Sequence, residues 1–324
     1  MSKHNMICAG IDTGKHKLDV AIDGSREQLQ VDNTADGHAV LLAWLKRHKV
    51  QRVGIEASGG YERDVVARLR HDDKFVVVVF QPAQVRAYAK FVLQRAKNDK
   101  IDAALIAECT AATKKIHAPP DPRLVPLAAR MTLIDQITDA VGRFKNFREG
   151  SRDVELRQFW KEQIAHLNKQ LRAQLKELVA AIRAHRDLAE RLDLINSVDG
   201  IGLKTAVAIL VRMPEIGCVT REQATALAGL APYDDDSGTH VGIRHIAGGR
   251  QRLRGSLYNA ALCAAFHWNP QLMAFYGRLT AAGKPHKYAL VACARKLLIF
   301  VNTVVARGTP WVSERSPSAA RAAA

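Results

Sequence analysis

Four carboxylates in the first third of the chain, Asp12, Glu56, Asp99 and Asp102, stand where short local elements would gather them. Asp12 closes the apolar run MICAGID, and Glu56 closes RVGIE. Asp99 and Asp102 are three apart in KNDKIDAALIAECT, a spacing that puts both on one face of a helix. Carboxylates gathered in this way repel one another unless cations neutralise them. An all-oxygen ligand set suits Mg²⁺ or Mn²⁺ rather than zinc. Two such ions, about 3.5–4 Å apart, activate a nucleophile and steady a leaving oxygen in phosphoryl transfer. Taken singly, Asp12 also reads as a turn residue and Asp99 as a helix cap. Asp19, Glu62, Asp64 and Glu108 fit no strand end or shared helix face and read as surface charges.

A second constellation lies far downstream, in YDDDSGTHVGIRHIAGGRQRLRGS. Ser237 precedes Gly238, and a residue without Cβ lets backbone come close to a phosphate. Arg244, Arg250, Arg252 and Arg254 follow, and guanidinium forks can clamp a phosphodiester bidentately. Serine is a weak nucleophile until a base or a metal activates it. An ordinary Ser-Gly turn is the competing reading, and Asp234, Asp235 and Asp236 read as a solvated acidic turn. Between the two constellations, INSVDGIGLKTAVAIL has the pattern of a helix-hairpin-helix turn. Gly200 and Gly202 would expose N–H groups to a phosphate, with Lys204 adding charge; a plain helical turn is the alternative.

These residues need elements to hold them. MICAGID, KLDVAID and residues 27–31 read as three strands, the first two joined by a Thr-Gly-Lys turn. GHAVLLAWLKRH is helical by its apolar spacing, RVGIEA is a strand, and YERDVVARLR a helix. FVVVVF reads as a strand buried on both faces. Helices follow around 83–93 and in the segment with Asp99. Three strands, helix, strand, helix, strand, helix is the element order of an RNase H fold: a mixed α/β sheet with helices on both faces.

HAPPDPRLVP, residues 117–126, reads as a linker. After a break at Gly150-Ser151, Leu156, Trp160, Ile164, Leu167, Leu171, Leu175, Leu178 and Ile182 recur at heptad-like spacing. The pattern predicts a coiled coil that dimerises the chain, with an intrachain helical hairpin as the alternative. The expected organisation is an RNase H-like (RuvC-like) domain over 1–116, a linker and coiled-coil region over 117–190, a mainly α domain with the serine loop over 191–312, and a disordered tail over 313–324.

Lys and Arg total 48 against 32 Asp and Glu, a formal charge of +16. Such a balance favours a polyanionic partner, since every neutralised phosphate releases counterions. Five scattered cysteines without a CxxC argue against a disulfide framework or a zinc site. The N-terminus lacks a signal-peptide pattern and no apolar run is expected to reach transmembrane length, so a cytoplasmic protein without a membrane partner is expected.

GIDTGKHKLDVAI, GIEASGGYE, QPAQVRAYAKF and RAKNDKIDAALIA resemble the N-terminal RuvC-like domain of the DEDD transposases of the IS110 insertion-sequence family, which includes pilin-gene invertases. LAGLAPYDDDSG, IRHIAGGRQRLRGSLYNAAL, NPQLMAFYGRL and GKPHKYALVACARKLL resemble its C-terminal transposase domain, in the IAGGR-type branch. The likeness covers roughly residues 6–312. It implies that Asp12, Glu56, Asp99 and Asp102 bind the metal, and that Ser237 forms a transient phosphoserine link to DNA. It implies as partners donor and target DNA and a structured bridge RNA that pairs with both. It also implies homodimers assembling to tetramers, with the acidic site of one subunit completing the serine site of another. Asn98 stands where the family often has Thr; either residue can cap a helix. A structure-specific, Holliday-junction-type nuclease is the competing function. It would hydrolyse DNA and need no serine.

Overall fold

The computed structural model describes residues 6–94, 99–114, 116, 121–234, 242 and 244–313, with the side chains of 99 and 100 excepted. The chain divides into two compact units, 1–119 and 120–324.

The first unit is built on a five-stranded sheet: β1 (Cys8–Thr13), β2 (Lys17–Ile22), β3 (Gln28–Asp32), β4 (Arg52–Glu56) and β5 (Val76–Phe80). Its order is β3-β2-β1-β4-β5. The β1–β2 and β2–β3 pairs are antiparallel, while β1–β4 and β4–β5 are parallel. This is the mixed sheet expected from the element order. Side chains alternate across it. Ala9, Ile11, Val53 and Ile55 face α1 (Ala35–Arg47) and α2 (Arg63–Arg70) in one apolar core. Gly10, Gly54, Val78 and Phe80 share the other face with α3 (Pro82–Phe91) and α4 (Asp99–Ala112).

β5 departs from expectation. It is an edge strand, and Val76 is 43 % exposed with Val77 to Val79 only half-buried. Among the described residues no strand lies beyond it in the sheet.

The second unit begins in the expected linker: α5 (Leu124–Gly150) starts at residue 124, while 117–120 lie outside the described residues. Ser151 is extended and ends α5. Asp153 then caps α6 (Val154–Arg183), accepting from the Glu155 and Leu156 N–H groups. Arg130 pairs with Glu177 near one end, and Phe144 and Phe147 meet Trp160 near the other. The two helices are therefore an antiparallel hairpin within one chain. Of the two readings of the heptad stripe, the helical hairpin within one chain is the arrangement seen here. Leu124, Met131, Ile134, Leu178 and Ile182 enter the same core as the following helices, and Leu171 and Leu175 pack against it. A heptad pattern reports one apolar stripe; it does not say whether a neighbouring or a foreign helix covers that stripe.

The remaining helices are α7 (Arg186–Asn196), α8 (Leu203–Arg212), α9 (Arg221–Leu227), α10 (Gln251–Cys263), α11 (Pro270–Ala281) and α12 (His286–Arg307), with a π-helical turn over Ala264–Trp268. A short ribbon, β6 (Pro232–Tyr233) with β7 (His245–Ile246), interrupts them. Among the described residues α12 is the one helix long and apolar enough to cross a membrane. Leu290, Cys293, Leu297 and Val301 are nonetheless fully buried in the unit, and Arg295 and Lys296 interrupt its apolar sequence.

Candidate functional site

β1 and β4 run parallel with Ile11 beside Ile55, so Asp12 and Glu56 lie side by side at the C-terminal ends of adjacent strands. By strand parity Asp12 shares a face with Gly10, and Glu56 shares it with Gly54. That is the face α4 covers. A Cβ on Gly10 would lie 2.2 Å from the Ala107 backbone nitrogen and 2.3 Å from the Ala103 carbonyl oxygen. A Cβ on Gly54 would lie 1.8 Å from Thr110 Oγ1. The two glycines thus let α4 lie against the bare backbone of β1 and β4.

The direction of α4 follows from Arg52 at the start of β4. Its Nη1 donates to the carbonyls of Thr110 (3.3 Å) and Thr113 (3.0 Å), at the C-terminal end of α4. The helix runs antiparallel to β4, and its first turn comes to the strand ends that carry Asp12 and Glu56. Asp99 opens α4 and Asp102 is half-buried one turn on. The backbone therefore brings all four positions to one sheet edge. Asp99's side chain lies outside the described residues. Among the described residues no three His, Cys, Asp or Glu side chains form a metal-holding group. The all-carboxylate chemistry of the quartet and the glycine cradle that aligns α4 fit a divalent cation.

One acid read as a surface charge is not one. Asp19 is only 5 % exposed and lies directly across from Asp12 in the β1–β2 register, on the same face. Gln30 Nε2 donates to its Oδ1 at 2.6 Å, and Lys17 Nζ lies 3.3 Å from its Oδ2. Like charges directly opposite one another destabilise a sheet, and these two polar partners offset the burial of Asp19. Alternation along KLDVAI was the available signal: Lys17, Asp19 and Ala21 share a face. Glu62 is half-buried and its carboxylate accepts from the Ser58 and Gly60 N–H groups, shaping the turn after β4. Asp64 and Glu108 are exposed, as expected.

Ser237 lies outside the described residues, as do Asp235 and Asp236. The ends of the segment that carries it are held by the β6–β7 ribbon. The IAGGR sequence anchors the base of this loop. Gly249 has φ +66°, and a Cβ there would meet the Gly229 nitrogen at 2.2 Å, so two backbones touch. Arg254 Nη1 donates to the carbonyls of Gly248 (2.8 Å) and Gly229 (3.2 Å), stapling that contact. Arg250 forms a two-pronged pair with Glu215, at 2.6 and 2.8 Å, and Arg252 pairs with Asp139 at 2.6 Å. Arg244 pairs with Asp234. The four arginines expected as an open phosphate clamp thus all have partners within the chain. Burial of Glu215 works against its charge, but the Arg250 fork outweighs it and holds the carboxyl below its ordinary range.

The helix-hairpin-helix pattern corresponds to α7, a tight turn and α8. Gly200 has φ +96°, and a Cβ there would meet Ala264 Cβ at 2.3 Å. Trp311 braces the turn, its Nε1 donating to Asp199 (3.1 Å) and its backbone N–H to Ser197 Oγ (2.9 Å). Lys204, expected to project its charge to a phosphate, instead donates to Thr138 Oγ1 at 2.7 Å. Burial lowers its pKa against the pull of Asp135 and Asp139. It lines a cleft of about 810 Å³ between α5, α8 and α10, beside Arg252, Ser256 and Tyr258.

A mixed β3-β2-β1-β4-β5 sheet with a helix laid across an acidic strand edge defines an RNase H-like enzyme of nucleic-acid strand cleavage and transfer. Two family models match the chain: a DEDD-type IS110 transposase over residues 9–149, and the transposase IS116/IS110/IS902 family over residues 192–277. Together they span more than two thirds of the sequence, and the chain belongs to the IS110 transposase family, which implies dependence on a divalent cation. It is similar to the pilin gene-inverting proteins of Moraxella bovis and Moraxella lacunata, each 25 % identical over 313 residues, 93 % of this chain and 96 % of the relative. An uncharacterized 43.6 kDa protein of insertion element IS110 from Streptomyces coelicolor is 29 % identical over 153 residues, 47 % of this chain and 37 % of the relative.

Proposed function

We propose that this transposase cuts and rejoins donor and target DNA through a serine nucleophile, Ser237, and an acidic metal site of Asp12, Glu56, Asp99 and Asp102, guided by a structured bridge RNA. The observation that carries the reading is the antiparallel course of α4 over Gly10 and Gly54, which takes the paired-aspartate turn to the edge holding Asp12 and Glu56. Mg²⁺ or Mn²⁺ bound there would supply Lewis-acid stabilisation of charge on the scissile phosphate. The Ser237 oxygen gives up its proton and bonds to phosphorus, while a sugar oxygen leaves and takes a proton. The DNA end is then held as a phosphodiester on serine. Attack by a hydroxyl of another strand reverses the exchange, so the number of phosphodiester bonds is conserved and rejoining needs no outside energy source.

The arginines at the base of the loop act in this scheme first as its frame: Arg250 and Arg254 brace the chain on either side of the segment that carries Ser237. Arg244 and Arg252, paired at the surface, exchange carboxylates for phosphates when DNA or RNA arrives. The N–H groups of the Gly200–Gly202 turn add a phosphate contact, and Lys204 joins it by exchanging Thr138 for the arriving phosphate. The exposed apolar end of the α5–α6 hairpin, with Val154, Leu156 and Phe159, supports a homodimer that pairs to a tetramer. The protein acts in the cytoplasm, without a membrane partner.

The test incubates labelled DNA, the element's RNA and Mg²⁺ with wild type, Ser237→Ala and Asp102→Asn. Wild type leaves a denaturant-resistant protein–DNA adduct, and both variants leave none while binding nucleic acid as before, because each lost group acts on rate rather than affinity. Clean hydrolysis without an adduct in the wild type would overturn the reading in favour of a structure-specific nuclease.

A further inference from the structure

The segment from Ser237 to Ser313 holds seven arginines and three lysines and no Asp or Glu. Some of these cations find acids elsewhere in the fold: Asp234, Glu215 and Asp139 serve Arg244, Arg250 and Arg252. Arg278, Lys284, Lys287 and Lys296 enter no ion pair among the described residues. Three of them lie on rings instead. Arg278 and Lys296 sit 5.3 and 4.8 Å from the Phe275 centroid, and Lys284 sits 5.6 Å from that of Tyr288.

A ring cluster adjoins them. Phe266 and Tyr276 have centroids 4.9 Å apart, Tyr276 and His286 are edge-on at 5.9 Å, and the Tyr276 hydroxyl and His286 Nδ1 share a hydrogen bond of 2.7 Å. The surface around the cluster faces water: Phe266 is 41 % exposed, Tyr288, two residues beyond His286, is 54 % exposed, and residues 281–288 are exposed throughout. Its members stand on regular elements. Phe266 belongs to the π-helical turn, Tyr276 to α11, and His286 and Tyr288 to the first turn of α12. Phe266, Tyr276 and His286 hold one another in place through their ring contacts and the Tyr276–His286 hydrogen bond.

Exposed ring faces beside uncompensated cations are what single strands require: the ring stacks on a base and the cation meets the next phosphate. A duplex keeps its base faces stacked inside and offers such a surface only phosphates. We propose that the α11–α12 turn, together with Phe266, is a binding site for unpaired nucleotides, in which Phe266 and Tyr288 stack on bases and Lys284 and Lys287 hold phosphates. The site is independent of the acidic quartet and Ser237, so it can be tested without metal and without cleavage.

The full chain in EDTA is titrated against a fluorescein-labelled 12-nucleotide strand, made as DNA and as RNA, and against the matching DNA duplex, with anisotropy as the readout. Phe266→Leu and Tyr288→Leu keep apolar bulk and remove the aromatic face. Each should weaken binding of at least one single strand about tenfold and change duplex affinity less than twofold. The DNA and RNA arms identify which strand the site prefers. Tyr288→Phe should bind as wild type does. Lys284→Gln with Lys287→Gln should reduce the slope of log affinity against log salt by about 1.4 for the single strand. Unchanged melting temperatures tie these losses to the surface; a variant that melts early is judged by Tyr288→Leu alone, whose side chain is largely in water. Single-strand affinity unmoved by Tyr288→Leu, or duplex affinity falling in parallel, would overturn the proposal.

Discussion

Gly10→Ala adds one methyl group and touches no acid, yet it should cripple the enzyme. The new Cβ would sit 2.2 Å from one backbone atom of α4 and 2.3 Å from another, where ordinary contact begins near 3.4 Å. Both obstacles are backbone, so no rotamer change relieves them. The helix must retreat by roughly 1 Å, at an overpacking cost of about 1–3 kcal/mol. For a domain near this size each kcal/mol lowers the melting temperature by about 4 °C. The same retreat carries Asp102 away from Asp12 and Glu56, and a displacement of about 1 Å in a catalytic constellation costs on the order of 100-fold in rate. Gly54→Ala should behave more mildly, because it meets side chains rather than backbone: the Phe80 ring at 2.8 Å, which must shift, and the Thr110 hydroxyl at 1.8 Å, which can turn away. That turn gives up a 2.6 Å bond to the Ile106 carbonyl, about 1 kcal/mol. Gly142→Ala is the control: it lies in α5 with open space around it and should stabilise by about 0.5–1 kcal/mol. Thermal melting and a strand-transfer assay read all three. If Gly10→Ala melts with wild type and transfers strands at the full rate, α4 is not clamped to β1 and its placement does not set the site.

Other outcomes follow from the second unit and the charge. Leu156→Asp with Phe159→Asp, at the exposed end of the hairpin, should lower the mass seen in sedimentation without lowering the melting temperature; an unchanged mass would place the oligomer contact elsewhere. Leu171→Asp should instead unfold the unit, since that side chain packs against the core. The Glu215 carboxyl is held below its ordinary 4.5, so its pairing stabilises fully above about that pH and is lost as pH falls through the lower folded value. Melting of wild type and Glu215→Gln from pH 7 to pH 3 should therefore converge in acid, and a constant gap would show that the pair does not titrate with folding. Nucleic-acid affinity should fall with salt with a log–log slope near roughly −7 for duplex DNA, for about eight released counterions. An affinity that hardly moves between low and moderate salt would exclude a phosphate-dominated interface.

The sequence alone determined the elements that carry the acids. Apolar runs ending in Asp12 and Glu56, and two aspartates three apart before an apolar helix, are local patterns, and local periodicity is what a strand or a helix obeys. It also marked the break at Gly150-Ser151 and the turn at Gly200, where a residue's own backbone preferences decide the outcome. Tertiary structure decided what each element faces. FVVVVF is as apolar as a central strand but lies at an edge, because neighbours are chosen by the whole sheet. Asp19 looked like a surface charge until the β1–β2 register set it under α4 and opposite Asp12. The heptad stripe of α6 found much of its cover in α5 and the core behind it, and the loop arginines found Glu215, Asp139 and two glycine carbonyls. Gly10 and Gly54 carry no chemistry in the sequence; their part appears when a helix drawn from half a domain away comes to lie on them. A residue's type limits what it can do, and which partner it meets is settled by contacts between segments distant along the chain, where no local pattern reaches.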